Sequence, residues 1–319
     1  MRYLLAAIAV AGITVFNPSF AETYPTRPVT VVAPVPAGGT GDTIARLIAA
    51  KLGERMHQSF IVDNRPGANT TIGAAYVGKA KADGYTLLVT GAPTFTINPL
   101  IYPNPRYSAE SFDYLGIVAA MPMVMVTYAG SPLKNVGDVI AAARKAPGNV
   151  PYGSFGNGSM PHVIAESFAA RTGTSLLHVP FQGSAPSLTS LMGKQTTLAI
   201  DSVVAAAPFI QSGALVPIAV ASRSRSPLLP QVPTFIEQGL PDFVFDNWVG
   251  IVAPKGLPAD VAARLGSELK AMVHDAEVEK KLGAMGFSVT WQDGAAFQRR
   301  ASAEMAQNAP VVEKMKLRQ

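Results

Sequence analysis

Ser159, His162 and Glu166 lie three and four residues apart, a spacing that sets their side chains on one face of a helix. Serine, histidine and a carboxylate are the nucleophile, base and orienting group of a hydrolase. The neighbouring residues argue against that chemistry. A nucleophile elbow reads G-x-S-x-G, whereas here the serine follows the glycines, in Gly156-Asn157-Gly158-Ser159. The chain has four histidines, no H-E-x-x-H and no cysteine. Thiolate nucleophiles and disulfides are out, and zinc chemistry lacks its ligands. A serine hydrolase stays as an unfavoured alternative; no catalytic residue, metal or cofactor is expected.

Anion binding is the chemistry better served. The run Pro34–Arg46 reads PVPAGGTGDTIAR. Before it, Val29-Thr30-Val31-Val32 reads as a buried strand. After it, Ile44, Leu47, Ile48 and Leu52 recur at helical spacing, which predicts a helix over Thr43–Arg55. Gly38, Gly39 and Gly41 permit positive φ and a close approach of ligand to backbone. Asp42 is the expected N-cap. Free N–H groups and the positive end of the helix dipole then favour an anion. Neither G-x-G-x-x-G nor G-x-x-x-x-G-K-[ST] occurs, so dinucleotide and P-loop readings fail.

The elements that hold this loop alternate. Phe60–Asn64 is a second strand, Thr71–Lys81 a short helix and Tyr85–Thr90 a third strand. Such alternation predicts a parallel sheet with helices on both faces. Thr90-Gly91-Ala92-Pro93 follows a strand's carboxyl end, the edge where open α/β sheets bind ligands. Leu115–Ala120 and Met123–Tyr128 read as strands crossing into a second lobe. There the pattern repeats. Val150–Gly153 leads through Ser154–Ser159 into a helix over Met160–Thr172, with Pro161 tolerated in its first turn. Leu176–Phe181 ends at Gln182-Gly183-Ser184, and Thr197–Ile200 ends at Asp201 and Ser202. Phe243–Val252 returns, and helices close the chain. The fold class expected is α/β, with two Rossmann-like lobes joined by crossover strands. Residues 22–122 with 248–319 form one lobe and 123–247 the other.

Composition agrees. Of 319 residues, 48% are hydrophobic and 15% charged, with net charge +5. No basic run or aromatic-basic interleaving suggests nucleic acid. Residues 1–21 read as a secretory signal peptide: Arg2, an apolar stretch over Leu4–Phe16, and Ser19-Phe20-Ala21 as the cleavage site. Export to a bacterial periplasm, with a mature start at Glu22, is expected.

Motifs along the chain carry a resemblance. They include Tyr24-Pro25-x-Arg27-Pro28, the glycine loop, Val62-Asp63-Asn64-Arg65-Pro66-Gly67-Ala68 and Asp83-Gly84-Tyr85-Thr86-Leu87-Leu88. Further on come Tyr152-Gly153-Ser154-x-Gly156-x-Gly158-Ser159-x-x-His162, His178-Val179-Pro180-Phe181-x-Gly183 and Trp248-x-Gly250-x-x-Ala253-Pro254. In order and spacing the chain resembles the tripartite tricarboxylate transporter receptors, the Bug-type periplasmic solute-binding proteins. The resemblance implies a Venus-flytrap protein of periplasmic type II, without catalytic activity. It captures a small carboxylate (an amino acid, di- or tricarboxylic acid) as a monomer. Its partners would be membrane permease subunits or, alternatively, a sensor kinase. The expected ligand-binding residues are Gly38, Gly39, Thr40, Gly41 and Asp42 on the first loop, then Thr90 and Ala92. Across the cleft they are Ser154, Asn157, Ser159, Phe181, Gly183 and Asp201. Asp42 and Ser159 could instead cap helices, Asp201 could cap the next one, and His162, Phe181 and Trp248 could be structural. The family's first loop usually reads Gly-Gly-x-Thr-Asp; here Gly41 takes the threonine's place.

Overall fold

The structure, a computed structural model, describes residues 24–102 and 104–315. The expected signal peptide lies outside them. In the first lobe, strands β1 (Val29–Ala33), β2 (Phe60–Asn64) and β3 (Thr86–Gly91) run parallel in the order β2-β1-β3. Helices α1 (Thr40–Met56) and α2 (Thr71–Val77) make the crossovers. Strand β1 is buried at four of its five positions, as a parallel strand covered on both faces must be. Short helices α3 (Pro93–Thr96) and α4 (Asn98–Ile101) follow β3.

Strand β4 (Phe112–Tyr128) is one 17-residue element, where two strands were expected. It continues through Pro122 because its partners change there. The half up to Pro122 pairs with β9 (Asp246–Pro254) and β10 (Ser288–Asp293), and the half from Met123 with β7 (Leu198–Ser202) and β8 (Leu215–Val220). A proline without an amide donor is tolerated at such a break in the ladder. Beyond it the second lobe holds α5 (Val136–Lys145), β5 (Pro151–Ser154), α6 (Met160–Thr172), β6 (Leu177–Pro180), α7 (Ser184–Met192) and α8 (Val203–Gln211). Strands β6, β5 and β7 lie side by side and parallel. Helices α9 (Ala259–Val273), α10 (Ala276–Ala284) and α11 (Gly294–Lys314) complete the chain.

Each lobe has its own core. One gathers Val31, Ile44, Leu52, Leu87 and Leu265; the other gathers Tyr152, Ile164, Phe168, Phe235 and Phe243. Val312, near the end of α11, packs into the second core. Trp248 is fully buried against Phe95 and Phe297, and its indole N–H donates to Glu304 at 2.9 Å. It is a core residue and not a cavity wall. The fold is that of a two-lobed, type II periplasmic binding protein, with β4 and β9 as strands passing between the lobes. No helix among the described residues is long and apolar enough to cross a membrane.

Candidate ligand-binding cleft

A cavity of about 470 Å³ opens where the carboxyl ends of β1, β2 and β3 face the start of α8. The β1–α1 loop supplies Pro34, Val35, Thr40 and Gly41; the β2–α2 loop supplies Asn69 and Thr70; β3 supplies Thr90 and Gly91. Met121 of β4 and Asn247 of β9 line its base, and Ser202, Val204 and Ala205 its far side. None of the lining side chains is ionisable. Whatever charge the cavity favours is set by the dipoles of its backbone and of its uncharged polar side chains.

Those dipoles are in place at α1. The helix begins at Thr40, three residues earlier than its apolar spacing predicts, and its N-cap is Gly39 with no side-chain cap. Asp42 is therefore inside the first turn and is not the cap. Its buried carboxylate accepts from the Gly38 amide at 2.8 Å, Arg46 Nε at 2.9 Å and Asn64 Nδ2 at 2.9 Å. These donors, Arg46 first, hold its pKa down at about 2. Asp42 thus braces the loop from a position off the cavity wall, and it takes up the Gly38 amide. The exposed amides of Thr40 and Gly41 remain at the helix end, where the first N–H groups have no intrahelical acceptor. Gly38 takes the positive φ expected, +85°. Gly39 does not: its φ is −84° and ψ 173°, ordinary extended backbone. Gly41 has a specific packing reason, because a Cβ there would stand 3.2 Å from Val35 Cγ2. Val35 fills the space that a threonine side chain would need.

The floor is a hydroxyl network. Thr94 Oγ1 lies 2.7 Å from Thr70 Oγ1 and 2.6 Å from Thr90 Oγ1. Asn69 Nδ2 donates to Asn98 Oδ1 at 2.7 Å, and Asn98 donates to Thr70 at 3.1 Å. Ala68, Asn69 and Thr70 all have positive φ, +77° at Thr70, a strained conformation for a β-branched residue. The side-chain bonds to Asn98 and Thr94 hold it there. Such strain gathers at ligand clamps. Thr90 lines the cavity. Ala92 does not: it is fully buried, and its amide donates to Trp248 O at 3.1 Å.

The second lobe turns α8, not α6, toward this cavity. Ser202 is the N-cap of α8, its Oγ accepting from the Ala205 amide at 3.3 Å. Asp201, just before it, is 1% exposed and is neither the cap nor a lining residue. It accepts from Ser184 Oγ at 2.6 Å and from the Ser202 amide at 2.7 Å. Burial pushes its pKa up to about 6. Ser154, Asn157, Ser159, Phe181 and Gly183 also lie off the cavity wall. They share the sheet edge with Ser202, since β5, β6 and β7 are adjacent and parallel. Within that edge, Ser159 Oγ donates to Gly156 O at 2.7 Å, and Phe181 lies beside Gly153. Asn157 is exposed on its turn, and Gly183 begins α7 with φ +112°.

The hydrolase trio is not assembled. His162 Nδ1 accepts from the Gly158 amide at 3.1 Å, and Glu166 accepts from Tyr152 OH at 2.8 Å. Ser154 Oγ instead meets His178 Nε2 at 2.6 Å, and the rings of His178 and His162 stack with centroids 3.7 Å apart. Burial, with His178 beside it, lowers the His162 pKa to about 3. Burial lowers the pKa of the His178 ring as well, so burial disfavours the charged form of both stacked rings.

Asn69, Thr70, Ser202 and Asn247 are lining residues that the sequence reading passed over. Asn69 and Thr70 follow a parallel strand's carboxyl end, as the glycine loop does, and that position is a signal for them. Asn247 had none.

The sequence profile described as tripartite tricarboxylate transporter family receptor matches residues 44–317. The protein BugT of Bordetella pertussis is 33% identical over 292 residues, covering 90% of this chain and 89% of its own. A TctC solute-binding protein from Polaromonas, solved with no ligand, superposes with a TM-score of 0.83 at 27% identity, covering 92% of this chain and 100% of that one. An R. palustris protein solved with adipate gives 0.74 at 34% identity, covering 92% and 98%. Profile, relatives and fold agree over nearly the whole described chain, which belongs to the tripartite tricarboxylate transporter receptor family.

Proposed function

We propose that this chain is a periplasmic solute-binding protein that captures a small carboxylate in the cleft and delivers it to the membrane subunits of a tripartite tricarboxylate-type transporter. One observation carries the reading. The cavity has no charged side chain, yet the N-termini of α1 and α8 line it from opposite lobes. Converging helix termini favour an anion without a counter-ion. The adipate-bound relative supports the carboxylate class.

Capture works by closure. The chain superposes better on the ligand-free relative than on the adipate-bound one, although the latter is closer in sequence. That ordering supports an open form here. Rotation of the lobes about β4 and β9 would bring the edge carrying Ser154, Asn157, Ser159, Phe181 and Gly183 over the ligand. Residues 22–122 with 248–319 and residues 123–247 are the moving parts in this account. A ligand shifts the equilibrium by its differential affinity for the closed form. Calorimetric titration of adipate and other mono- and dicarboxylates, with small-angle scattering for closure, tests the reading. Saturable binding with a smaller radius of gyration is expected; absence of binding across the panel rejects it.

Asp201 makes the site pH-sensitive. Its carboxyl titrates near 6 and sits one residue from Ser202. As pH rises through 6 it gains a charge that repels an incoming carboxylate. Affinity is expected to fall roughly fivefold between pH 5 and 7.5, on the order of 1 kcal/mol for charges several ångströms apart near a surface. The linkage to folding has the same sign. A raised acid pKa binds a proton more tightly in the folded state, so stability declines as pH climbs from about 4 to 6. In Asp201→Asn the fall in affinity should vanish; an unchanged profile would remove Asp201 from the account.

A further inference from the structure

Strands β4 and β9 separate two cavities. Successive side chains on a strand point to opposite faces. Met121 and Asn247 line the cleft, while their neighbours Ala120, Pro122 and Asp246 line a cavity of about 690 Å³ behind it. This rear cavity is bounded on one side by the connector after β8, with Arg223 and Arg225, and on the other by α11, with Arg299 and Arg300. Its walls therefore belong to segments that follow different lobes, and its floor is the hinge itself.

Most of its charges are already spoken for. Arg300 Nε donates to Glu304 at 2.7 Å, and its Nη2 pairs with Asp246. Arg225 Nε is held by both oxygens of Glu237, at 3.0 and 3.1 Å. Arg223 and Arg299 are exposed and have no ion pair among the described residues. Asp242 is the one lining carboxylate left to oppose them. The Gln307 side-chain nitrogen, also on this wall, is buried with no acceptor. Two uncommitted guanidinium-bearing residues line one space across the strands that join the lobes. Guanidinium suits oxyanions because its donors form a planar fork.

We propose that the rear cavity binds a small, multiply charged oxyanion that bridges Arg223 and Arg299 and opposes closure of the cleft. This coupling rests on the closure proposed above: a rotation about β4 and β9 that closes the front parts the rear walls. An anion holding those walls together favours the open form, so the two sites couple negatively. The coupling is reciprocal: a cleft ligand weakens the anion's hold by the same factor.

Inorganic phosphate at constant ionic strength is the probe. Calorimetry of the full mature chain should show saturable one-to-one binding that NaCl does not reproduce. Arg223→Gln with Arg299→Gln should weaken it at least tenfold, and the two lysine replacements should restore part of it. A Gly41→Val variant, altered in the cleft, should bind phosphate as wild type does. Paired spin labels, one on each lobe, should report a population shifted toward the open distance when phosphate is added. Binding that survives the double glutamine variant, or that disappears with Gly41→Val, places the anion elsewhere and overturns the site. Binding at the arginines with no change in the distance distribution overturns the coupling.

Discussion

Gly41→Val is expected to weaken carboxylate binding by about a hundredfold, close to 3 kcal/mol, while leaving the protein folded. Gly41 lies on the cavity wall in the first turn of α1, beside amides that have no intrahelical acceptor. A valine there sets a branched side chain at the anion's approach. Its Cβ also presses on Val35 Cγ2, 3.2 Å from the ideal position, so the loop must shift by a few tenths of an ångström. The residue is exposed and its backbone is helical, so the fold has no reason to fail. Calorimetry and a thermal melt check both halves. Gly39→Val is the informative contrast. Gly39 is extended, and a Cβ would meet nothing nearer than Pro36 O at 3.9 Å. A smaller loss is expected there. Equal losses at both positions would mean that general loop damage, and not the helix terminus, controls binding.

Gly286→Val is the second large effect, and it acts on the approach of the lobes. Gly286 follows α10 with φ +80°, and a Cβ built on it would lie 2.2 Å from Val204 Cβ. Val204 stands in the first turn of α8, on the far wall of the cavity. Left-handed backbone alone costs an L-residue roughly 1–2 kcal/mol, and the overlap adds to it. The variant is expected to lose several degrees in Tm and most of its carboxylate affinity, because α8 is pushed from α1. Val204→Gly in the same chain removes every overlapping atom, including the Cβ at 2.2 Å that alanine would keep, and should restore affinity more than Tm. Full wild-type affinity in Gly286→Val would show that the position of α8 does not matter to the site.

Much of the fold could be read from the chain because its signals are local. Asn135 and Asp275 cap helices with their own side chains. The β1, β2 and β3 runs carry apolar or β-branched residues bounded by turn residues, and helix α6 spans the expected Met160–Thr172. Asp42 misled for a physical reason. Its type suits an N-cap, but it stands at the third helical position and reaches back to the Gly38 amide, one residue before the cap. The glycine that does cap α1 has no side chain to announce it.

Which residues line the cavity was less legible because a cleft is a relation between lobes. Residues Ser159 and Ser202 each precede a helix at the carboxyl end of a parallel strand. Nothing local tells which of those helices faces α1. That depends on how β4 carries the second sheet past Pro122, and here it brings α8 to the cavity. Gly41 shows the converse: its departure from the usual loop became intelligible once Val35 was seen beside it.

The most direct test of the central claim is a crystal structure of the protein purified from the periplasm and loaded with a carboxylate that calorimetry shows it binds. The account predicts closed lobes around one ligand. A carboxylate of that ligand should accept from the amides at the start of α1, with Ser202 and the Ser154–Ser159 edge brought against it. A carboxylate bound away from α1, or lobes left in the arrangement they have without ligand, would contradict it.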